Sequence, residues 1–498
     1  MEFHSIVEAV HAYAGSQPDA LCLADAKRSF TYSEVWGRIT CAGNVLLRAG
    51  LRPGDRVLVE HTQDALFSIA LLAVQAAGCV FVPLERGVSL ERLERILAET
   101  SARFFLGKHS AKRLPDGVCI LDTAELCENC ANAEEIPWDY PVPSSDETAE
   151  ILFSTGTTGK SKGIELTHSN VIAVAENVVY GVEMQPGNVE MIFAPLSHSH
   201  GLRRHYANLL RGNAVVLCES VVFVQSVFEL IDRYTVTAID IVPSAMKMLL
   251  KLSGSRLAGY GGQLRYMQLG SAPLEQAEKE RLRELLPQTR LYDFYGSTEA
   301  GCSCIIDFNR EPDRAGCIGK PTVNSEIRIV DENRNPLAGS SAEHPGFIAC
   351  RGAMLMKGYW RQPELTESVV SDGFIYTTDR GYFDSDGYLY LLGREDDVIN
   401  CGGIKINPEE IERAALRYAP VAECACAAKK EAASGEVPVL FLLLKEGELF
   451  EREVLMAALA ASVDANKLPR DIRIVTELPH TYNGKLQRSK LREELNKG

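Results

Sequence analysis

Short apolar runs rich in β-branched residues alternate along the chain with stretches whose apolar positions recur every three or four residues. The first pattern predicts strands and the second predicts amphipathic helices. Arg56 to Glu60 therefore reads as a strand, Ala65 to Ala77 as a helix and Val80 to Val82 as a second strand. Glu150 to Phe153 reads as another strand, and a later helical pattern places Val171, Val174, Ala175 and Val178 on one face. That alternation predicts an α/β architecture with parallel sheet. No internal repeat of about 20 to 50 residues interrupts it.

The pattern changes toward the C-terminus. A strand from Tyr388 to Leu392 leads into the charged segment Gly393, Arg394, Glu395, Asp396 and Asp397. Beyond it, Asn407 is placed to cap a helix with Pro408 in its first turn and Glu410 three residues after the cap. That helix carries Ile411, Ala414, Ala415 and Tyr418 on one face. Pro438 to Leu444 and Asp471 to Val475 read as strands, so the last hundred or so residues form a small α+β domain. The proline-containing stretch from Pro137 to Glu147 marks a weaker boundary within the larger part.

The 498 residues are 46% apolar and 24% charged, enough to bury a large core without disulfides or structural metals. With 67 acidic against 52 basic residues the net charge is −15, which disfavours a nucleic acid or an anionic membrane surface as main partner. No apolar run approaches the ~20 residues of a membrane helix, and the N-terminus lacks a basic region leading into an apolar one. These features predict a soluble cytoplasmic protein whose 14 cysteines are reduced.

The most informative string is STGTTGKSKG, Ser154 to Gly163, between a predicted strand and a helical pattern. Its glycines let the backbone approach a ligand, its hydroxyls are donors and its lysines add positive charge, a composition suited to a polyphosphate. The GxxxxGK[ST] spacing of a P-loop needs glycine at position 154, which is serine, so that reading fails. A flexible polar surface loop is the plain alternative. In a second string, YDFYGSTEAG from Tyr292 to Gly301, aromatics suited to stacking on a purine stand beside Glu299, a hard oxygen donor for Mg²⁺. By itself this string also fits an aromatic core turn.

Together with three further strings, these segments resemble the adenylate-forming superfamily of acyl-CoA synthetases, aryl-acid CoA ligases, carrier-protein-loading adenylation domains and luciferases. The resemblance makes Ser154, Thr155, Gly156, Thr157, Thr158, Gly159 and Lys162 a phosphate loop, with Ser161 where proline is common. Tyr295, Gly296, Ser297, Thr298 and Glu299 match YGxTE. This implies adenine stacking by Tyr295, a phosphate contact from Thr298 and a magnesium ligand at Glu299, with Asp293 and Phe294 in the same nucleotide site. Gly270, Ser271, Ala272, Pro273 and Leu274 resemble the GxAPL turn lining the adenine and acyl pocket. In GFIYTTDRG, Gly373 to Gly381, Thr378 replaces a family glycine and Asp379 is the expected acceptor for both ribose hydroxyls. GREDDVINCGGIKINPEEIE, Gly393 to Glu412, resembles the family hinge: Arg394 for ribose or phosphate, Asp396 as pivot, Gly402 and Gly403 along a thiol channel. PHTYNGKLQR, Pro479 to Arg488, makes Lys485 the catalytic lysine.

The fold implied is a large N-terminal domain of stacked α/β subdomains, residues 1–392, then a hinge at 393–397 and a small mobile α+β lid, 398–498. The activity implied is AMP-forming acid–thiol ligation. ATP and a carboxylic acid give an acyl-adenylate and pyrophosphate with Mg²⁺, and the acyl group then passes to CoA. Alternatives are loading of a carrier protein's phosphopantetheine and, more remotely, nucleotide binding without catalysis or luciferase-like oxidation. APLSHSHG, Ala194 to Gly201, resembles PLFHxxG and places His198 beside the acyl site, with Ile241, Val242, Pro243, Ser244 and Ser303 as further pocket walls. The aspartate of amino-acid-activating relatives is missing from the corresponding positions, so a neutral acyl or aryl acid is expected. His200 and His205 read as ordinary polar side chains, Cys127 and Cys130 as free thiols in a polar loop, and Lys429 and Lys430 as solvated or as attracting a thiol carrier.

Overall fold

A computed structural model describes residues 3–108, 114–115, 117–128, 143–154, 162–272, 274, 276–401, 404–431, 434–461, 463–481 and 485–497. Its contacts divide the chain into two units: Met1–Ile327 with Cys350–Ile375, and Arg328–Ala349 with Tyr376–Gly498.

The first unit contains two sheets. In one, the parallel strands Leu21–Ala24, Ala214–Leu217, Val189–Ile192, Ala238–Ile241, Tyr266–Leu269 and Arg290–Ser297 lie side by side in that order. Gly301–Asp307 then folds back antiparallel on Arg290–Ser297. In the other sheet, Thr148–Ser154, Val80–Leu84, Arg56–Glu60, Phe104–Leu106 and Cys119–Leu121 are parallel neighbours. The pattern-based strands are thus found at Arg56–Glu60, Val80–Leu84 and Thr148–Ser154, the last two longer than expected.

One apolar core joins strand residues of both sheets, Val57 and Phe81 with Leu23 and Val215, through helices between them. Ala65–Ala76 is buried along its whole length, as a helix apolar on every side must be. Asp64 fixes its start by accepting from the Phe67 amide at 3.0 Å. A strand not expected from the pattern, Lys162–Thr167, pairs antiparallel with Thr148–Ser154 before the next helix begins at His168. Thr167 and Asn170 cap that helix reciprocally, and Val171, Val174, Ala175 and Val178 are buried on it.

The second unit holds a sheet ordered Ile404–Ile406, Ile399–Cys401, Gly435–Leu444 and Val421–Glu431, with Asp471–Ile474 beside Gly435–Leu444. The helix Pro408–Ala415 starts at Asn407 as expected, and Ile411, Ala414, Ala415 and Tyr418 enter this unit's core. The cap differs in detail: Asn407 accepts from the Glu409 amide, while Glu410 pairs with Lys467 at 3.2 Å. Arg488 reaches Glu412 at 2.5 Å and Asp397 at 3.4 Å.

The cysteine expectation needs correction. Among the described residues twelve cysteines are free, but Cys41 is disulfide-bonded. Cys127 is buried at the end of the helix Thr123–Glu128 rather than in a polar loop, and Cys130 lies outside the described residues.

Arg204 is the largest fully buried side chain and stands on the helix Ser199–Leu210. Its guanidinium pairs with Glu190 and bonds to Gln268, and Tyr266 and Asn208 donate to the second Glu190 oxygen at 2.8 and 2.6 Å. Burial pushes the Glu190 carboxyl up, against the pull of Arg204. Removing one partner of such a pair strands a buried charge, so Glu190→Ala is expected to lose about 3–5 kcal/mol of unfolding free energy in urea titration. Arg95→Ala, which breaks the exposed pair with Glu91, should cost less than about 0.5 kcal/mol.

Two buried groups set opposite pH dependences. His168 is pushed down from 6.5 to about 4 by burial, so below about 6.5 the unfolded chain takes up a proton that the fold refuses. Its contribution lowers stability as pH falls from 6.5 toward 4. Glu150 is pushed up from 4.5 to about 7, chiefly by burial and against the hydrogen bond from Tyr206, so its contribution lowers stability as pH rises from 4.5 toward 7. Denaturation series across pH 4–7 should show His168→Gln removing part of the acid-side loss and Glu150→Gln removing part of the decline toward neutrality.

Candidate active site

The carboxyl ends of parallel strands are where α/β sheets place ligands. Here Val189–Ile192 leads to His198, Ala238–Ile241 to Pro243, Tyr266–Leu269 to Gly270 and Ser271, and Arg290–Ser297 to Thr298 and Glu299. These strands are adjacent, so four separate sequence strings come to one edge of one sheet.

Glycine is required where that edge is tightest. A Cβ on Gly296 would fall 2.0 Å from the Gly301 carbonyl oxygen, across the turn that exposes Thr298 and Glu299. Gly301 closes the turn at φ +67°. A Cβ on Gly270 would lie 2.2 Å from the Phe294 ring, so the GSA turn and the second string pack directly together.

The helix Ser199–Leu210 supports this edge. Its apolar residues Leu202, Tyr206 and Leu209 belong to the core, while its first turn is polar and meets the strings. Ser199 shares a hydrogen bond of 3.0 Å with Thr298, and buried Arg203 donates to the Ser297 carbonyl. His200 bonds to Ser271 at 2.6 Å and to Asp240 at 2.7 Å. His205 bonds to Ser68 at 2.9 Å, and burial pushes its imidazole down to about 3. His200 and His205 are therefore buried polar side chains, each with a hydrogen-bond partner.

Glu299 is held from a part of the chain that the strings do not include. Tyr359 donates its hydroxyl to Glu299 at 3.1 Å, and the Glu299 carbonyl accepts from the Met356 amide at 2.8 Å. Burial and the adjoining carboxylate push the Tyr359 hydroxyl pKa up. The Lys162 ammonium lies 5.2 Å from the centroid of the Tyr359 ring. This arrangement follows from strand pairing, since Gly358–Tyr359 runs antiparallel to Lys162–Thr167. Nothing in the spacing ties Tyr359 to Glu299, 60 residues away; nor did any signal single out Ser199 or Asp240, or give Arg203 its place beneath the site.

Several expected site residues have structural partners of their own. Asp293 pairs with Lys279 at 2.7 Å, both nearly buried. Ser303, expected as a pocket wall, is completely buried with its hydroxyl given to the Ala300 carbonyl at 2.9 Å, so it offers no surface to a ligand. His198 stands at the N-cap position before Ser199, and its Nε2 lies 3.6 Å from Glu85. Tyr295 is half-buried opposite Cys304. Ser154 ends its strand, whereas Thr155, Gly156, Thr157, Thr158, Gly159 and Pro273 lie outside the described residues.

In the second unit, Asp379 and Arg394 are direct neighbours on antiparallel strands, with Arg394 Nε 3.0 Å from Asp379 Oδ1. Thr377 accepts from the Asp379 amide at 3.1 Å and donates to the Ile348 carbonyl at 2.8 Å. The strand Phe374–Phe383 runs through Thr378, which keeps a negative φ and replaces the family glycine without strain. Asp396 lies in the short turn Glu395–Asp397, and Gly402 and Gly403 lie outside the described residues. Lys485 is exposed; the Thr481 amide donates to its carbonyl at 2.8 Å, and Thr481 Oγ1 accepts from its amide at 2.9 Å.

Comparison with known proteins matches this arrangement over the whole chain. The 4-coumarate–CoA ligase 3 of Arabidopsis thaliana is 28% identical, covering 96% of this chain and 89% of that protein. The ATP-bound structure of MatB from Rhodopseudomonas palustris superposes with a TM-score of 0.89 at 26% identity, covering 100% of this chain and 99% of that one. O-succinylbenzoate CoA synthetase from Bacillus subtilis, in complex with ATP and a magnesium ion, gives 0.86 at 26% identity over 97% and 98%. The model of the AMP-binding enzyme family matches residues 10–360, and that of its C-terminal domain matches residues 410–485. The chain, with its strings gathered at one sheet edge and its separate C-terminal unit, belongs to the AMP-binding enzyme family.

Proposed function

We propose that this protein is an AMP-forming acid–thiol ligase that joins a carboxylic acid to the AMP part of ATP, releases pyrophosphate and passes the acyl group to CoA. The observation that carries this reading is the placement of Glu299 and Lys162 against the one side chain of Tyr359, with Thr298 next to Glu299 in the chain. A carboxylate and a polyphosphate repel one another, so a site that joins them must supply cations and donors where negative charge accumulates.

Glu299 suits Mg²⁺, which commonly takes one or two carboxylates and fills its remaining positions with water and phosphate oxygens. Among the described residues no group of three or more histidine, cysteine or acidic side chains could hold a metal by itself. The carboxylate of Glu299 would hold the ion with the nucleotide, and Tyr359 orients that carboxylate. Bound there, Mg²⁺ supplies positive charge to the phosphates. Lys162 and Thr298 add donors to the phosphates, Asp379 takes the ribose hydroxyls and Arg394 braces it. Lys485 bridges the attacking carboxylate and the α-phosphate, and Asp396 is the pivot by which that lysine leaves before a thiol attacks along Gly402 and Gly403. No protein nucleophile is needed.

The acid is an acyl or aryl acid without an α-ammonium group. Asp240, buried on the strand beside Tyr266–Leu269, is already engaged by His200 and Arg204. A relative that acts on 4-coumarate supports an aromatic acid as the first to be tried. Among the described residues no helix is long and apolar enough to cross a membrane.

Acid-dependent exchange of labelled pyrophosphate into ATP tests the first half-reaction, and mass spectrometry of products with CoA or with a phosphopantetheinylated carrier tests the second. Exchange with no acid of an aromatic, fatty and short-chain panel would refute the ligase reading. Lys485→Ala should lower exchange about 10²–10³-fold, a loss of transition-state charge stabilisation, while calorimetric ATP affinity changes less than about threefold. Tyr359→Phe should raise the Mg²⁺ concentration for half-maximal exchange about tenfold, as expected when a metal ligand loses its orienting partner, with the KM of the acid unchanged.

A further inference from the structure

Asp240, His200 and Ser271 form a continuous hydrogen-bonded chain from the sheet interior to the site edge. Asp240 is fully buried on its strand, His200 is 6% exposed and Ser271 is half-buried at φ +70°. The imidazole uses Nε2 toward Asp240 Oδ1 and Nδ1 toward Ser271 Oγ, and the Phe294 ring lies edge-on at 4.9 Å. An ionised carboxylate only accepts, so it selects the tautomer that carries its proton on Nε2. Arg204, 4.0 Å from the same carboxylate oxygen, supplies compensating positive charge. In that tautomer Nδ1 is an acceptor, and the Ser271 hydroxyl gives its only proton to it.

We propose that Asp240 and His200 are positioning residues that fix the direction of the Ser271 hydroxyl, so that Ser271 meets a bound ligand solely as a hydrogen-bond acceptor. It therefore recognises an N–H or O–H donor. The inference rests on the ligase reading of this edge, which offers two sources for such a donor: the exocyclic amine of the nucleotide base, or a polar substituent on the acid. A site built to take a donor discriminates against an analogue that lacks it, because the buried partner is left unsatisfied.

The test uses the full chain. Calorimetric affinities for ATP and for inosine triphosphate, which carries a carbonyl where ATP carries its amine, are compared in wild type, Ser271→Ala and Ser271→Gly. The same variants are assayed for kcat/KM with 4-hydroxycinnamate against cinnamate. Both variants are expected to compress one of the two ratios about tenfold, the ratio identifying the source of the donor. If neither ratio moves, or if glycine and alanine behave differently because backbone strain at φ +70° is what matters, the proposal is overturned. Proton-detected ¹⁵N imidazole spectra, assigned with His200→Gln, are expected to show neutral His200 protonated at Nε2. A proton on Nδ1, alone or with Nε2, overturns it as well. Absence of exchange with every acid, with the Nε2–H signature present and the nucleotide ratio compressed in both variants, would instead refute the ligase reading alone.

Discussion

A buried guanidinium must be paired, and in this protein that requirement fixes the element on which the site rests. Arg204 is completely removed from water and is satisfied by Glu190 and Gln268 from two strands of one sheet, with Tyr266 and Asn208 completing the second Glu190 oxygen. The desolvation cost of such a pair is of the same order as its attraction, so its net contribution to stability is small. Its consequence is geometric. Only one rotation of the helix Ser199–Leu210 satisfies Arg204, and that rotation turns Ser199, His200 and Arg203 toward Thr298, Ser271 and Ser297.

The apolar core explains why the strings can converge without specifying one another. Parallel strands bury both faces and end at a common edge, so residues that follow them meet whatever their distance in sequence. Tyr359 extends this logic to the second sheet. Its short strand pairs with Lys162–Thr167, so the Lys162 ammonium and the Glu299 carboxylate meet one phenol although they come from different sheets. The second unit repeats the device on a smaller scale, where antiparallel register alone sets Arg394 against Asp379.

This division also explains what could be read from the sequence. Periodicity placed Arg56–Glu60, Ala65–Ala76 and the helix after Asn407 because each has one dominant burial pattern and a recognisable cap. It missed the strand Lys162–Thr167, where a glycine- and lysine-rich string masks a short alternation of buried Ile164 and Leu166. The strings at Tyr295–Glu299 and Asp379 were read through the family resemblance, because the local chemistry of the first fits an aromatic core turn equally well. Ser303 was misjudged because nearness to Tyr295 along the chain says nothing about which face of Gly301–Asp307 a side chain takes, and Ser303 faces inward. Tyr359, Asp240 and Arg203 owe their places to pairing between distant segments, which no local pattern encodes.

Polar residues inside a helix–sheet interface conflict with the hydrophobic pattern that builds it, and such conflicts tend to survive where function requires them. In the first unit three such pairs gather on one helix. Glu150 with Tyr206, Glu190 with Arg204, and Asp240 with His200 all join a strand to the one helix Ser199–Leu210. An apolar helix could slide or rotate against its sheets at little cost, because dispersion and burial have no direction. Three directional contacts along about two turns remove that freedom. The helix then holds the hydroxyls of Thr298 and Ser271 at fixed orientations along the sheet edge, and fixed dipoles need no reorganisation when charge moves.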